Sequence, residues 1–157
     1  MDISKKLNDA INAQIGHEFE ATLQYLSMAA YFEEEGYKNL AKRMYEQAEE
    51  EHAHGMKFFK FVLERGGKVE IPTLPGPKAV FTSALEVFKA ALAWEKVVTK
   101  NIYNLVEIAI ADKDYATQQF LNWFTNEQIE EEANMEGYIK LAEKVGKDHE
   151  YLLEGHV

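Results

Sequence analysis

The chain has 157 residues, 46% of them hydrophobic, which is enough for one domain with a real core. It contains no cysteine, which excludes a disulfide scaffold, a cysteine zinc site and a thiolate nucleophile. A net charge of −10 argues against a nucleic-acid partner, whose phosphates demand a basic surface.

The opening "MDISKKLNDAIN" lacks the apolar centre of a signal peptide, and no stretch approaches the ~18 apolar residues of a membrane span. A soluble, cytoplasmic protein without a membrane partner is expected. Apolar residues at helical period predict a first helix over residues 3–35, closed by Gly36, and a second over 37–65. All three prolines fall in "EIPTLPGPKAV", just after Gly66 and Gly67, so residues 66–80 read as a linker. A third helix spans 82–111, with Ser83 and Glu86 at capping-box spacing. After a "DKD" turn, a fourth helix runs over 113–145 and is closed by Gly146. "DHEYLLEGHV" leaves a short fifth-helix stub at 148–155.

The fold class is therefore all-α, a single domain over 1–157. Four helices of about 30 residues, each about 45 Å long, make a long bundle. Short turns join the first and last pairs. The long connection between the second and third helices crosses the length of the bundle, as in ferritin-like bundles.

Each helix carries one glutamate within its apolar stripe, near its own midpoint: Glu18, Glu51, Glu95 and Glu131. In a bundle of equal helices these acids meet at one level. Most helical glutamates are solvated, but four at matching depth are hard to ascribe to register. An unpaired buried ion costs several kcal/mol, and no basic residue lies in the stripes to pair them. Multivalent cations are the economical solution. In "EEEHAHG", Glu51 and His54 share a helix face at i and i+3, whereas Glu49 and His52 face outward. Glu-x-x-His with a glutamate from each partner helix is the ligand pattern of di-iron carboxylate bundles.

The segments "LNDAINAQIGHEFEATLQYLSMAAYF", "EEEHAHGMKFFKFVLERGGKV", "WEKVVTKNIYNLVEIA" and "KDYATQQFLNWFTNEQIEEEAN" together resemble the prokaryotic non-haem ferritins over essentially the whole chain. The resemblance implies a ferroxidase centre in which Glu18, Glu51 and His54 hold a first iron. Glu51, Glu95 and Glu131 would hold a second, with Gln128 close by. It also implies a third iron site at Glu50, Glu127 and Glu130, with Glu131 placed to be shared. Tyr25 matches a family tyrosine able to donate an electron; read from the residues alone, it is equally a packed core aromatic. Trp123 also matches, and reads as packing.

There are departures from neighbouring families. Asn134 stands where bacterioferritins place a second ligand histidine, and His52 stands where they place the haem methionine, so no haem is expected. The absence of cysteine excludes a rubrerythrin. His17, His149 and His156 have no ligand partner in the pattern. The short C-terminus replaces the fifth helix that packs in ferritin shells, which leaves a homo-oligomer: a twenty-four-subunit shell or a related assembly. The implied function is iron storage, with Fe(II) oxidised by dioxygen or hydrogen peroxide and kept as ferric mineral. A di-iron oxidase or peroxidase without storage is the alternative, and a structural bundle with a vestigial or zinc-filled site is the non-enzymatic one.

Overall fold

The computed structural model describes residues 2–157. Four helices, α1 (Lys5–Glu34), α2 (Lys38–Glu64), α3 (Ala84–Ala111) and α4 (Tyr115–Val145), precede a 3₁₀ segment at Lys147–His156. None is long and apolar enough to cross a membrane.

Capping sets the helix starts one or two residues inside the expected bounds. Ser4 Oγ accepts from the N–H of Leu7, so α1 begins at Lys5 rather than at residue 3. Ser83 Oγ accepts from the N–H of Glu86 at 3.1 Å, as its spacing predicts. The Glu86 carboxylate, however, reaches one residue beyond the box, to the N–H of Thr82 at 2.7 Å. Asp114 accepts from the N–H of Thr117 at 3.0 Å, which moves the start of α4 from residue 113 to Tyr115.

Three of the helix ends share one device. The N–H of Tyr37 bonds to Phe32 O at 2.8 Å, and that of Gly36 to Glu33 O at 3.0 Å. The same double bond closes α2 through Gly67 and Gly66, and α3 through Asp114 and Lys113. It needs a left-handed residue: Gly36 (φ 81°) and Gly66 (φ 73°) supply it cheaply, whereas Lys113 adopts φ 54° with a side chain.

The proline-rich connection runs along α1. Lys68 and Glu70 bond to Asn8 and Asn12, and Lys78 bonds to Gln24 and Ser27. Ten extended residues cover about 30 Å, close to the rise of α1 between those anchors. The chain thus returns to the start of α2 before α3 begins, which gives up-down-down-up order.

The C-terminal segment does not hang free. Glu150 Oε2 accepts from the N–H of Ala84, and Glu154 accepts from the N–H of Asn39 at 2.8 Å. Two carboxylates thus satisfy the open N-termini of α3 and α2, with Leu153 buried between the helices.

Two apolar blocks fill the bundle. One holds Met28, Phe32, Leu40, Met44, Phe88 and Met135; the other holds Leu7, Ile11, Phe58, Val62, Ile102 and Leu121. Each large buried side chain contributes about 1.5–3 kcal/mol. A few of them offset one buried charge, so the blocks can support a polar layer between them.

Candidate metal centre

That layer is where the sequence placed it. Glu18 on α1, Glu51 on α2, Glu95 on α3 and Glu131 on α4 are each at most 2% exposed. His54 is buried with them. Gly55 permits the approach of α1 to α2 at this level: a Cβ there would come within 2.5 Å of the Phe19 ring and 3.3 Å of Glu18 Cβ.

The donor atoms of the four acids and His54 fall into two triads, and a third group joins His54 and Glu131 to Glu127. Glu18, Glu51 and His54 bring one ligand atom each within 4.8 Å of one another, and so do Glu51, Glu95 and Glu131. Glu51 belongs to both. Donors around one ion at metal–oxygen distances of about 2.0–2.2 Å lie up to about 4.2 Å apart, so small inward movements close each triad. His54 Nδ1 is 3.4 Å from Glu51 Oε2 and 3.9 Å from Glu18 Oε2. Glu18 Oε2 is buried without a hydrogen-bond donor. A buried carboxyl oxygen facing an imidazole and a second carboxylate fits a cation position. Carboxylate oxygens with one imidazole suit iron in both its common oxidation states.

The remaining hydrogen bonds orient the acids. Tyr25 OH donates to Glu95 Oε1 at 2.5 Å, and Gln128 Nε2 donates to Glu95 Oε2 at 3.1 Å. Gln14 Nε2 donates to Glu18 Oε1 at 3.0 Å. Gln47 Nε2 donates to both Glu51 Oε1 and Glu131 Oε2.

Without metal, burial governs the charges. It pushes Glu18 well above the usual carboxylate range, and the neighbouring Glu51 charge adds to this. Burial and then Glu51 raise Glu95 to about 8; burial, Glu95 and Glu51 raise Glu131 to about 9. Glu51 is also penalised by burial, but hydrogen bonding and charge from His54, with bonds from Glu18 and Gln47, hold it below its ordinary value. Glu51 is therefore the anion of the layer, Glu95 and Glu131 carry protons near neutral pH, and burial shifts Glu18 in the same direction. Burial, followed by the Glu95 charge, keeps the Tyr25 phenol protonated.

Of the residues expected at a third position, Glu127 is half-buried and lies with His54 and Glu131 within 4.8 Å; Glu50 and Glu130 are exposed. Glu49, His52, His149 and His156 are exposed, as is Asn134, while His17 is half-buried. The Trp123 ring meets His54 edge-on at 5.4 Å, with Lys57 Nζ over its face at 3.1 Å. The stripe gave no role to Gln14 and did not include Gln47. Each stands four residues before a buried acid, and that spacing was the available signal.

The family model described as a Ferritin-like domain matches residues 8–145. The bacterial non-heme ferritin of Staphylococcus haemolyticus is 45% identical over 146 residues, spanning 93% of this chain and 88% of that protein. A bacterial non-heme ferritin of Staphylococcus aureus strain USA300 is 44% identical over the same spans. The novel open pore ferritin of the hyperthermophilic archaeon Archaeoglobus fulgidus superposes with a TM-score of 0.95 at 39% identity, covering 99% of this chain and 97% of that one. An engineered closed form of the Archaeoglobus fulgidus ferritin gives 0.93 at 41% identity, covering 97% and 93%. Four helices with a long crossover, buried acids at their midpoints and these relatives agree, and the chain belongs to the ferritin family.

Proposed function

We propose that the chain is an iron-storing ferritin subunit that oxidises Fe(II) to Fe(III) at this centre, in the cytoplasm. The observation that carries the reading is that Glu51 is common to both donor triads, so one carboxylate can hold two cations side by side. Two ferrous substrate ions together supply two electrons, the number that converts dioxygen to hydrogen peroxide. Glu18, His54 and Glu51 bind one ion; Glu51, Glu95 and Glu131 bind the other. Glu95 and Glu131 lose their protons as cations enter, so loading releases protons. Tyr25 donates its hydroxyl to Glu95, so an electron leaving the phenol has an acceptor beside it for the proton.

Glu50, Glu127, Glu130 and Glu131 form the third iron position in this reading. Glu127 lies with His54 and Glu131 within 4.8 Å, which supports this reading, and Glu50 and Glu130 are exposed. Subunits assemble into a homo-oligomeric shell, in keeping with the ferritin relatives; light scattering that finds only a monomer at every ionic strength would contradict this.

The function is tested by loading iron-free protein anaerobically with Fe(II), admitting air and counting irons retained per chain. Storage predicts far more than two. Retention stopping at about two per chain leaves a di-iron oxidase, and no retention refutes the metal reading.

A further inference from the structure

We propose that Gln47 is a positioning residue for the second metal position, the clasp that holds Glu131 against Glu51 before metal arrives. This rests on the reading of the layer as a two-ion centre. Gln47 lies on α2 and is 0% exposed. Its single Nε2 is 2.8 Å from Glu51 Oε1 and 2.7 Å from Glu131 Oε2, which is one N–H for each carboxylate. Acids from two different helices are thereby tied through one nitrogen. Among the described residues, this is the only hydrogen bond to the Glu131 side chain.

The orientation of the amide is fixed by charge. Turned over, it would set a carbonyl oxygen against the Glu51 anion. In the observed orientation Gln47 Oε1 is buried with no partner, an unfavourable state that the helix interior must sustain. The donor end is therefore what the site uses, even at the expense of the acceptor end. Glu18 and Glu95 have their own amide donors in Gln14 and Gln128, so the clasp is specific to the Glu51–Glu131 edge.

Losing such an outer hydrogen bond typically weakens metal binding by ~10–100-fold. The loss should be confined to the position that needs Glu131. Glu18, Glu51 and His54 retain their mutual geometry through the His54–Glu51 contact.

The test is calorimetric titration of the full-length, iron-free protein with Zn(II). Glu18→Ala identifies the first binding event and Glu95→Ala the second, because each acid belongs to only one triad. Gln47→Met preserves length and helix propensity without the amide, and Gln47→Leu is a second variant should methionine repack poorly. Expected is a ~10–100-fold weaker second event with the first changed by less than ~3-fold. In a Glu131→Ala background, Gln47→Met should add less than ~3-fold further loss, since Gln47 acts through Glu131. Unchanged binding in the single variant, equal weakening of both events, or full weakening without Glu131 would overturn the proposal. If the wild type shows no Zn(II) binding sensitive to Glu18 or Glu95, the two-ion reading itself has failed.

Discussion

Replacing Glu131 with leucine should stabilise the metal-free protein at pH 8 and leave it nearly unchanged at pH 5. Glu131 is 2% exposed, and burial with two neighbouring acids raises it to about 9 from 4.5. Between those values the folded chain keeps a proton that the unfolded chain has lost. Folding stability contributed by this group is thus fully present below 4.5 and declines as pH rises toward 9, by about 1.4 kcal/mol per unit. At pH 8 the ceiling on that loss is about 5 kcal/mol, and at pH 5 it is below about 1 kcal/mol. Relaxation around the charge brings the pH 8 figure to on the order of 2–3 kcal/mol. Leucine removes this penalty and loses one hydrogen bond, about 0.5–1.5 kcal/mol, while Gln47 stays paired with Glu51. The net gain at pH 8 is about 1–2 kcal/mol, or roughly 3–6 °C in Tm for a chain of this size. Thermal melts of chelator-treated protein at both pH values, at fixed subunit concentration, measure it. An equal shift at both pH values, or a variant less stable than wild type at pH 8, would refute the reasoning.

Glu95→Leu should behave oppositely, destabilising the metal-free protein by about 1–3 kcal/mol at pH 6, because it strands the Tyr25 hydroxyl, whereas Gln128 keeps its bonds to the residue 95 carbonyl and Thr99; a melt at or above wild type would contradict that pairing. Glu51→Ala should abolish rapid Fe(II) oxidation, whereas His54→Ala should mainly weaken the first ion, as stopped-flow absorbance over a range of Fe(II) concentrations would separate. Removing residues 147–157 should cost about 3–5 kcal/mol in denaturant melts, from two helix caps and buried Leu153. Lys113→Gly should raise stability by up to about 1 kcal/mol by relieving the left-handed lysine, measured in the same melts.

The bundle and its four acids were legible because a 3.6-residue period states which face is buried, and Glu18, Glu51, Glu95 and Glu131 interrupt that face at the helix midpoints. The Glu51–His54 spacing added the metal chemistry. Gln47 was not legible: it flanks the stripe between Met44 and Ala48, and its partner Glu131 lies 84 residues away. The C-terminal caps were hidden for the same reason, since Glu154 and Asn39 are 115 residues apart. The Ser83–Glu86 spacing was read correctly, but spacing alone does not say which N–H the Glu86 carboxylate takes. Nor does "DKD" announce that its lysine is left-handed, because the demand arises from how α3 closes.

The most direct test of the two-ion centre is anomalous diffraction from crystals soaked with Fe(II) under anaerobic conditions. The account predicts two iron peaks per chain, about 3.5–4 Å apart, one against Glu18 and His54, the other against Glu95 and Glu131, with Glu51 touching both. A single peak without Glu51, or iron only on the outer surface, would contradict it.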